Sequence, residues 1–262
     1  MKNTINVSNY VITVITITKN RPQLLKRAIK SVKEQTIPGV LHYIIIDDCP
    51  ATLDMLTNEF SKDDSVVWKY CNSDDLVSAG PHRLSILRNA AIMDTDTEFF
   101  CFLDDDNEFY PNHLEQLLEF ARSENCDAVH SYREILYRDG SPYLEELSPW
   151  GHTIEQRAEK YHELLEYGIA TPGSNIWRDR FGVTVDTNVW LIRTSVMKKI
   201  RIPVEYSEED YKNVVPEDAK MMIAMQQNNV EVKTNQKVTV KYYLGGYSNG
   251  CGETEGTVEW TF

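Results

Sequence analysis

The stretch that decides the fold is FFCFLDDD, residues 99–106, in which five apolar residues run directly into three aspartates. A short, continuous apolar run predicts a strand that is buried on both faces. The three carboxylates that follow it repel one another unless a positive group lies among them. A divalent cation that prefers oxygen ligands, such as Mg²⁺ or Mn²⁺, meets that need. The alternative is a solvated acidic turn, because aspartate favours turns.

Three more strand-like segments precede this one, and helical patterns separate them. The segments are short, apolar and mostly β-branched, which favours buried strands. They are residues 11–17 (VITVITI), 43–46 (YIII) and 66–70 (VVWKY). Apolar residues at helical spacing follow the strands, at residues 24–32, 53–60, 84–93 and 114–121. This alternation predicts an α/β fold with a mostly parallel central sheet and helices on both faces.

Polar residues follow three of these strands at the point where each strand ends. They are residues 18–21 (TKNR), the pair Asp47 and Asp48, and the aspartates at 104–106. The carboxyl ends of parallel strands meet at one edge of a sheet, and such folds bind their ligands there. The shared position therefore favours one ligand site over three unrelated surface turns.

The second half of the chain is less regular. Its predicted elements are strands at 127–131, 183–192 and within 230–244, helices at 154–167 and from Pro216, a long loop at 168–181 and a mobile glycine-rich tail at 245–256. No internal repeat or low-complexity linker interrupts the sequence. We therefore predict a single domain over residues 1–262.

Composition narrows the classes of protein that are possible. The chain has 262 residues, a hydrophobic fraction of 42% and a net charge of −13, which argues against a general binder of nucleic acid. Its five cysteines form no CxxC or zinc spacing, which indicates reduced thiols. No signal-peptide pattern begins the chain, and no apolar run approaches the ~20 residues of a membrane span. We predict a cytoplasmic protein without a transmembrane segment, with peripheral membrane contact left open.

Five pieces of the sequence resemble the GT-A fold nucleotide-sugar glycosyltransferases, most closely the large family 2 group of inverting enzymes. The pieces are VITITKNR (14–21), IIDD (45–48), RNAA (88–91), FLDDD (102–106) and PED (216–218). The family usually has proline in place of Ile17, often an aromatic residue in place of Lys19, and Gly-Ser in place of Cys49 and Pro50. The resemblance implies a Rossmann-like GT-A sheet.

The resemblance also implies a division of labour and a reaction. Residues from about 1 to 106 would bind the nucleotide sugar, and residues from about 107 to 262 would bind the acceptor. A sugar would pass with inversion from a UDP- or dTDP-sugar to a hydroxyl of a glycan, a lipid-linked intermediate or a small molecule. Asp104 and Asp106 resemble the outer aspartates of the DxD motif, which would hold Mn²⁺ or Mg²⁺. The positions that resemble donor-binding residues are Thr18, Asn20, Arg21, Asp47, Asp48, Arg88, Asp104 and Asp105.

Asp218 resembles the catalytic base of the family, the carboxylate that takes the proton of the acceptor hydroxyl. A second interpretation is local, because the helix macrodipole favours an acidic residue in the first turn of a helix. Arg88 likewise has the alternative of a salt bridge on a helix surface. Asn188 and Glu217 lie in stretches that resemble the family, and Trp190 is an aromatic residue available for stacking on a sugar. All three are expected to contact the donor sugar or the acceptor.

Two other functions fit parts of this pattern. One is a protein that binds a nucleotide sugar without turnover, and the intact Asp104, Asp106 and Asp218 count against it. A sugar nucleotidyltransferase would need a glycine-rich loop after the first strand. Residues 18–22 (TKNRP) contain no glycine, which disfavours that function.

Overall fold

The computed structural model describes residues 9–72, 80–151, 153–213 and 215–246. Within these ranges nine strands join in one sheet. The strands are β1 (Ile12–Thr18), β2 (Val40–Asp47), β3 (Val66–Cys71), β4 (Phe99–Phe102), β5 (Glu108–Phe109), β6 (Ala128–Leu136), β7 (Ile176–Trp177), β8 (Trp190–Arg193) and β9 (Val232–Tyr243). The predicted glycine-rich tail lies outside the described residues beyond residue 246.

Helices flank this sheet. They are α1 (Pro22–Lys33), α2 (Pro50–Phe60), α3 (Gly80–Asp94), α4 (His113–Ser123), α5 (Ile154–Glu166), α6 (Thr194–Ile200), α7 (Glu208–Lys212) and α8 (Glu217–Gln227). Apolar periodicity predicts all of them except α6 and α7, which are too short to show a repeating face. Across the described ranges, no helix is both long enough and apolar enough to pass through a membrane.

The first half of the sheet is parallel, as the alternation of strands and helices predicts. The strand order is β3-β2-β1-β4-β8-β6-β9-β5, with β7 paired to β6. β1 lies parallel to β2 and β4, and β2 lies parallel to β3. Beyond β4 the sheet becomes mixed, because β8 runs antiparallel to both β4 and β6. The predicted α/β class with a mostly parallel central sheet is confirmed.

The first helix, α1, has the buried face that the spacing of its apolar residues predicts. Pro22 opens α1, where its missing N–H removes no helical hydrogen bond. Leu25, Ala28, Ile29 and Val32 are all buried, and they recur at the spacing that places them on one helical face. Burial of this face holds α1 against the sheet, which fixes where the loop after β1 begins.

The strand predicted at residues 183–192 is wrong over most of its length. Only β8 is a strand there, and a 3-10 turn over Thr187–Val189 precedes it. The carboxylate of Asp186 accepts the backbone N–H of Asn188 at 2.9 Å, which gives that N–H a local partner in place of a strand ladder. The turn brings the Asn188 side chain to the end of β4, where it accepts the N–H of Asp104.

Candidate active site

The carboxyl ends of β1, β2 and β4 bring the predicted polar residues to one edge of the sheet, which we call the donor edge. β1 ends at Thr18, β2 ends at Asp47, and Asp104 follows the end of β4 by two residues. Asn20 and Asp48 have positive φ angles of 56° and 48°. Asparagine and aspartate tolerate this left-handed conformation better than most residues. Both loops therefore turn sharply as they leave the sheet.

Asp105 lies beneath the donor edge rather than on its surface. Its side chain is fully buried, accepts a hydrogen bond from Oγ1 of Thr18 at 2.7 Å and pairs with Arg21 at 2.7 Å. Arg21 also pairs with Asp106 at 2.7 Å. Burial raises the pKa of Asp105 to about 7, and the Arg21 charge opposes that rise. Thr18 and Asp105 thus hold the loops after β1 and β4 together.

The two flanking aspartates are more open. The Asp104 side chain is 36% exposed and that of Asp106 is 15% exposed. Asn188 binds Asp104 twice: it accepts the backbone N–H at 2.6 Å and donates from Nδ2 to the carboxylate at 2.8 Å. A Cβ added at Gly246 would lie 2.5 Å from Oδ2 of Asp106. The chain at Gly246 therefore passes close to the Asp106 carboxylate.

Arg88 on α3 joins the end of β4 to the start of α8. Its guanidinium contacts Asp104 at 3.2 Å, Oγ1 of Thr187 at 3.2 Å, and the carboxylate of Glu217. The side chain is buried, so a salt bridge on the helix surface is not its role. Burial disfavours the charge, but Glu217, Asp104 and Asp218 together raise the pKa of Arg88 above its ordinary value. The arginine is thus a fixed positive charge within an acidic site.

Asp218 is half-buried in the first turn of α8. Burial is the main cause that raises the pKa of Asp218 to about 8; the charges of Glu217 and Asp186 add to the rise, and Arg88 opposes it. Among the described lysines and arginines, none forms a salt bridge with this carboxyl group. A carboxyl group that exchanges its proton near neutral pH suits general base catalysis.

Asp47 and Asp48 are both engaged by neighbouring side chains. Arg83 binds both oxygens of Asp47, one of them at 2.8 Å, and Nζ of Lys19 lies 3.4 Å from the same carboxylate. Tyr70 donates to Asp48 at 2.9 Å. The sequence offers no signal for Arg83, because 36 residues separate it from Asp47 and no local spacing links them.

A buried arginine on β6, Arg133, is linked to Asn188 through Asp186. Arg133 pairs with Asp179 at 3.3 Å and with Asp186, and Asp186 accepts from Nδ2 of Asn188 at 2.8 Å. Burial raises the pKa of Asp179 to about 7, although Arg133 opposes the rise. Sequence reasoning misses Arg133 because the strand predicted there stops at residue 131, which leaves the arginine in a loop.

The expectation that Trp190 contacts a sugar is wrong. Its side chain is fully buried on β8, where it packs against His130 and Phe181. A ring without an exposed face cannot stack on a ligand. By contrast, the structure does bring Asn188 and Glu217 into the network of the donor edge, the first through Asp104 and the second through Arg88.

The donor edge offers oxygen ligands of the kind that Mg²⁺ and Mn²⁺ prefer. Over the residues that the structure describes, no group of three or more His, Cys, Asp or Glu side chains is placed to hold a metal ion. Asp104 and Asp106 provide two partly exposed carboxylates at this edge. One or two carboxylates are what these cations use when substrate phosphates complete the shell, so this pair fits such an ion.

A family model described as "Glycosyl transferase family 2" matches residues 13–176, which is more than half of the chain. The chain belongs to glycosyl transferase family 2. The matched residues include the loops after β1, β2 and β4. They also include Arg88, Asp104 and Asp106 of the donor edge, but they end before Asn188 and Asp218.

Two curated relatives of this family 2 chain match over part of their length. WcaA of Escherichia coli (strain K12), provisionally named a colanic acid biosynthesis glycosyl transferase, is 33% identical over 111 residues, which are 42% of this chain and 38% of that protein. Protein CgeD of Bacillus subtilis (strain 168) is 26% identical over 132 residues, 48% of this chain and 30% of that protein. The chain therefore spans about a third of the length of these relatives.

Crystal structures of S. aureus TarS 1–349 share the fold. The complex with UDP-GlcNAc has a TM-score of 0.60 and 17% identity, and the alignment covers 93% of this chain and 62% of that one. The complex with UDP has a TM-score of 0.57 and 18% identity, with 89% and 60% covered. These likenesses confirm the predicted GT-A architecture, and the family match confirms the resemblance to family 2.

Proposed function

We propose that this family 2 protein transfers a sugar from a UDP- or dTDP-sugar to an acceptor hydroxyl, with inversion at the transferred carbon. The residue that carries the proposal is Arg88, which contacts both Asp104 at the donor edge and Glu217, the neighbour of Asp218. Arg88 thereby links the acidic edge to the first turn of α8, where the candidate base also lies. The family match supports the reaction class.

The donor that we propose is a nucleoside diphosphate sugar with a pyrimidine base. A UDP-sugar is supported by the shared fold of the TarS complex with UDP-GlcNAc, and a dTDP-sugar presents the same diphosphate. The acceptor is a hydroxyl of a glycan, a lipid-linked intermediate or a small molecule. The acceptor would lie beside α8, because its proton must reach Asp218.

In this proposal, sugar transfer is a single displacement at the sugar carbon, and each residue at the site has its own role in it. Asp104 and Asp106 would hold Mn²⁺ or Mg²⁺, which supplies positive charge to the departing diphosphate. Asp218 accepts the proton of the acceptor hydroxyl as that oxygen attacks the sugar from the side opposite the diphosphate. One such attack inverts the carbon. Arg88 holds the Glu217 side chain in place beside the base.

Stabilisation by UDP should depend on the divalent cation. At about 100 times its dissociation constant, UDP with Mn²⁺ or Mg²⁺ should add about 2.7 kcal/mol to the free energy of unfolding. UDP alone should add much less, because phosphates and carboxylates share the cation. Thermal unfolding with UDP, dTDP, GDP and ADP, each with and without metal, measures this effect. The nucleotide that gives the largest shift identifies the nucleobase that the site prefers.

Asp106→Asn should remove the metal-dependent part of that shift. Asp96→Asn is the matched control, since Asp96 is an exposed aspartate that pairs with Lys198 on the surface. The control should keep the full shift. A shift of equal size with and without metal would refute the proposed metal site, and a flat response to all four nucleotides would refute the donor site.

The rate of sugar transfer should rise with pH and level off above about pH 8. Asp218 acts as the carboxylate, and its raised pKa of about 8 keeps it protonated below that value. UDP release followed from about pH 5 to about pH 9 gives kcat/KM at each pH. Glu217→Gln should move the midpoint to lower pH, because it removes the charge next to Asp218. An unchanged midpoint would argue that another group controls the rate.

UDP release also separates transfer from binding alone. A protein that only binds nucleotide sugars would show the thermal shift and release no UDP at any pH. Release that requires both the sugar donor and an added acceptor supports the transferase.

A further inference from the structure

A cavity of about 470 Å³ opens between the chain that follows α5 and the strands β6 and β9. None of the residues that line it belongs to the donor edge. Its volume lies within the roughly 300–1,000 Å³ of small-molecule sites. Its lining combines three cations with aromatic rings that are exposed or half-buried: Arg178, Arg180, Lys233, Tyr132, Tyr167 and Phe181.

Two of the cations lack an acidic partner within the described part of the chain. Arg178 donates to Oγ1 of Thr171 at 2.6 Å, and Arg180 donates to the backbone carbonyl of Tyr167 at 3.3 Å. Lys233, in contrast, is balanced by two surface glutamates. The whole chain carries a net charge of −13, which repels anions. Two unbalanced guanidinium groups at one opening therefore create a local site where an anion is attracted.

Asp179, the acidic residue that lines the cavity, does not cancel the positive charge of Arg178 and Arg180. Asp179 is buried and pairs with Arg133 at 3.3 Å, so its charge is already balanced from the protein side.

We propose that this cavity binds an anionic saccharide, one that carries a carboxylate or a phosphate group. The planar fork of arginine matches both groups and forms paired hydrogen bonds with them. Tyr132, Tyr167 and Phe181 line the same cavity, and aromatic rings offer apolar surface to the faces of sugar rings. The inference rests on the proposed function in one respect, since a glycosyltransferase is what makes a saccharide the expected ligand.

Titration calorimetry tests the cavity while UDP and Mn²⁺ occupy the donor edge. The probes are a glucuronate-containing oligosaccharide, the same oligosaccharide with its carboxyl groups reduced to alcohols, and an oligomer of glycerol phosphate. At least one charged probe should bind about tenfold or more tightly than the neutral one, and this preference should weaken as salt is added. The relative affinities of the two charged probes show which anionic group is preferred.

The variant that tests the contacts is Arg178→Gln/Arg180→Gln. It should lower the affinity for the charged probe about tenfold or more, because charged hydrogen bonds are lost at both positions. Arg201→Gln, at an exposed arginine that does not line the cavity, should bind as the wild type does. The UDP shift should be the same in all three proteins, which shows that the double variant is folded.

Several outcomes would overturn the inference: equal binding of charged and neutral probes, no binding of either, or full affinity in the double variant. Displacement of the probe by UDP would overturn it too, since the probe would then occupy the donor edge. If the UDP shift persists in these cases, only the cavity proposal falls. If the UDP shift is itself absent, the proposed function fails independently of the cavity.

Discussion

Replacing Asp218 with asparagine should lower kcat for sugar transfer by about 10²–10⁴-fold, which is the range for loss of a general base. The amide keeps the shape of the side chain but cannot accept the proton of the acceptor hydroxyl. UDP should still bind, because Asp104 and Asp106 are unchanged. The two measurements are UDP release at saturating donor and the thermal shift with UDP and metal.

The chain offers a matched control for this variant at the start of α5. Glu155 also lies in the first turn of a helix, and there hydrogen bonds from its own backbone N–H and from Thr153 lower its pKa. The pKa of Asp218 is instead raised, so the helix macrodipole alone does not account for its state. Glu155→Gln should keep full activity. Full transfer activity in the Asp218→Asn protein would contradict the role of Asp218 as the base.

The same substitution should stabilise the fold near neutral pH. Native Asp218 keeps its proton to about pH 8, whereas the unfolded chain releases it near the ordinary value of 3.8. Between these values the native state binds more protons, so the free energy of unfolding falls as pH rises. Asparagine has no such penalty. The variant should gain almost nothing near pH 4, and its gain in stability over the wild type should grow as the pH rises towards about 8. A gain that does not vary with pH would contradict the raised pKa.

The parts of the site that the sequence predicts are those with local signals. Asp104 and Asp106 follow an apolar run, and the polar ends of parallel strands must meet at one edge. Arg83 and Arg133 have no such signal, because their partners lie 36 or more residues away and only the fold brings them together. The sequence also does not distinguish Trp190 from a ligand-stacking residue, since composition does not tell which aromatic rings fill the core.

The short strand β8 shows the limit of apolar patterns. Residues 183–192 have a strand-like composition, yet the Asp186 side chain gives the backbone of Asn188 a local partner and a turn forms. That turn positions Asn188 against Asp104, so the departure from the predicted strand is also what completes the site. A side chain that competes for backbone hydrogen bonds is hard to weigh from composition alone.

Replacing Arg88 with methionine should lower the free energy of unfolding by about 3–5 kcal/mol, the usual cost of removing one partner of a buried ion pair. Arg88 and Glu217 are both buried, so the variant leaves the Glu217 carboxylate in the interior without its counter-charge. Denaturation by urea measures the loss. The surface control is Arg193→Met, which breaks a pair with Glu98 whose side chain is 41% exposed. That change should cost about 0–1 kcal/mol.

A second substitution identifies the source of the loss. Arg88→Met/Glu217→Gln removes the unpaired charge as well, so it should recover a large part of the stability that Arg88→Met loses. Activity should not return with it, because Asp104 still lacks the guanidinium that fixes its carboxylate. If the two changes were simply additive in stability, the ion pair would not be what holds α3 to α8. Stability restored without activity would instead show that Arg88 has two separable roles, one in the fold and one at the donor edge.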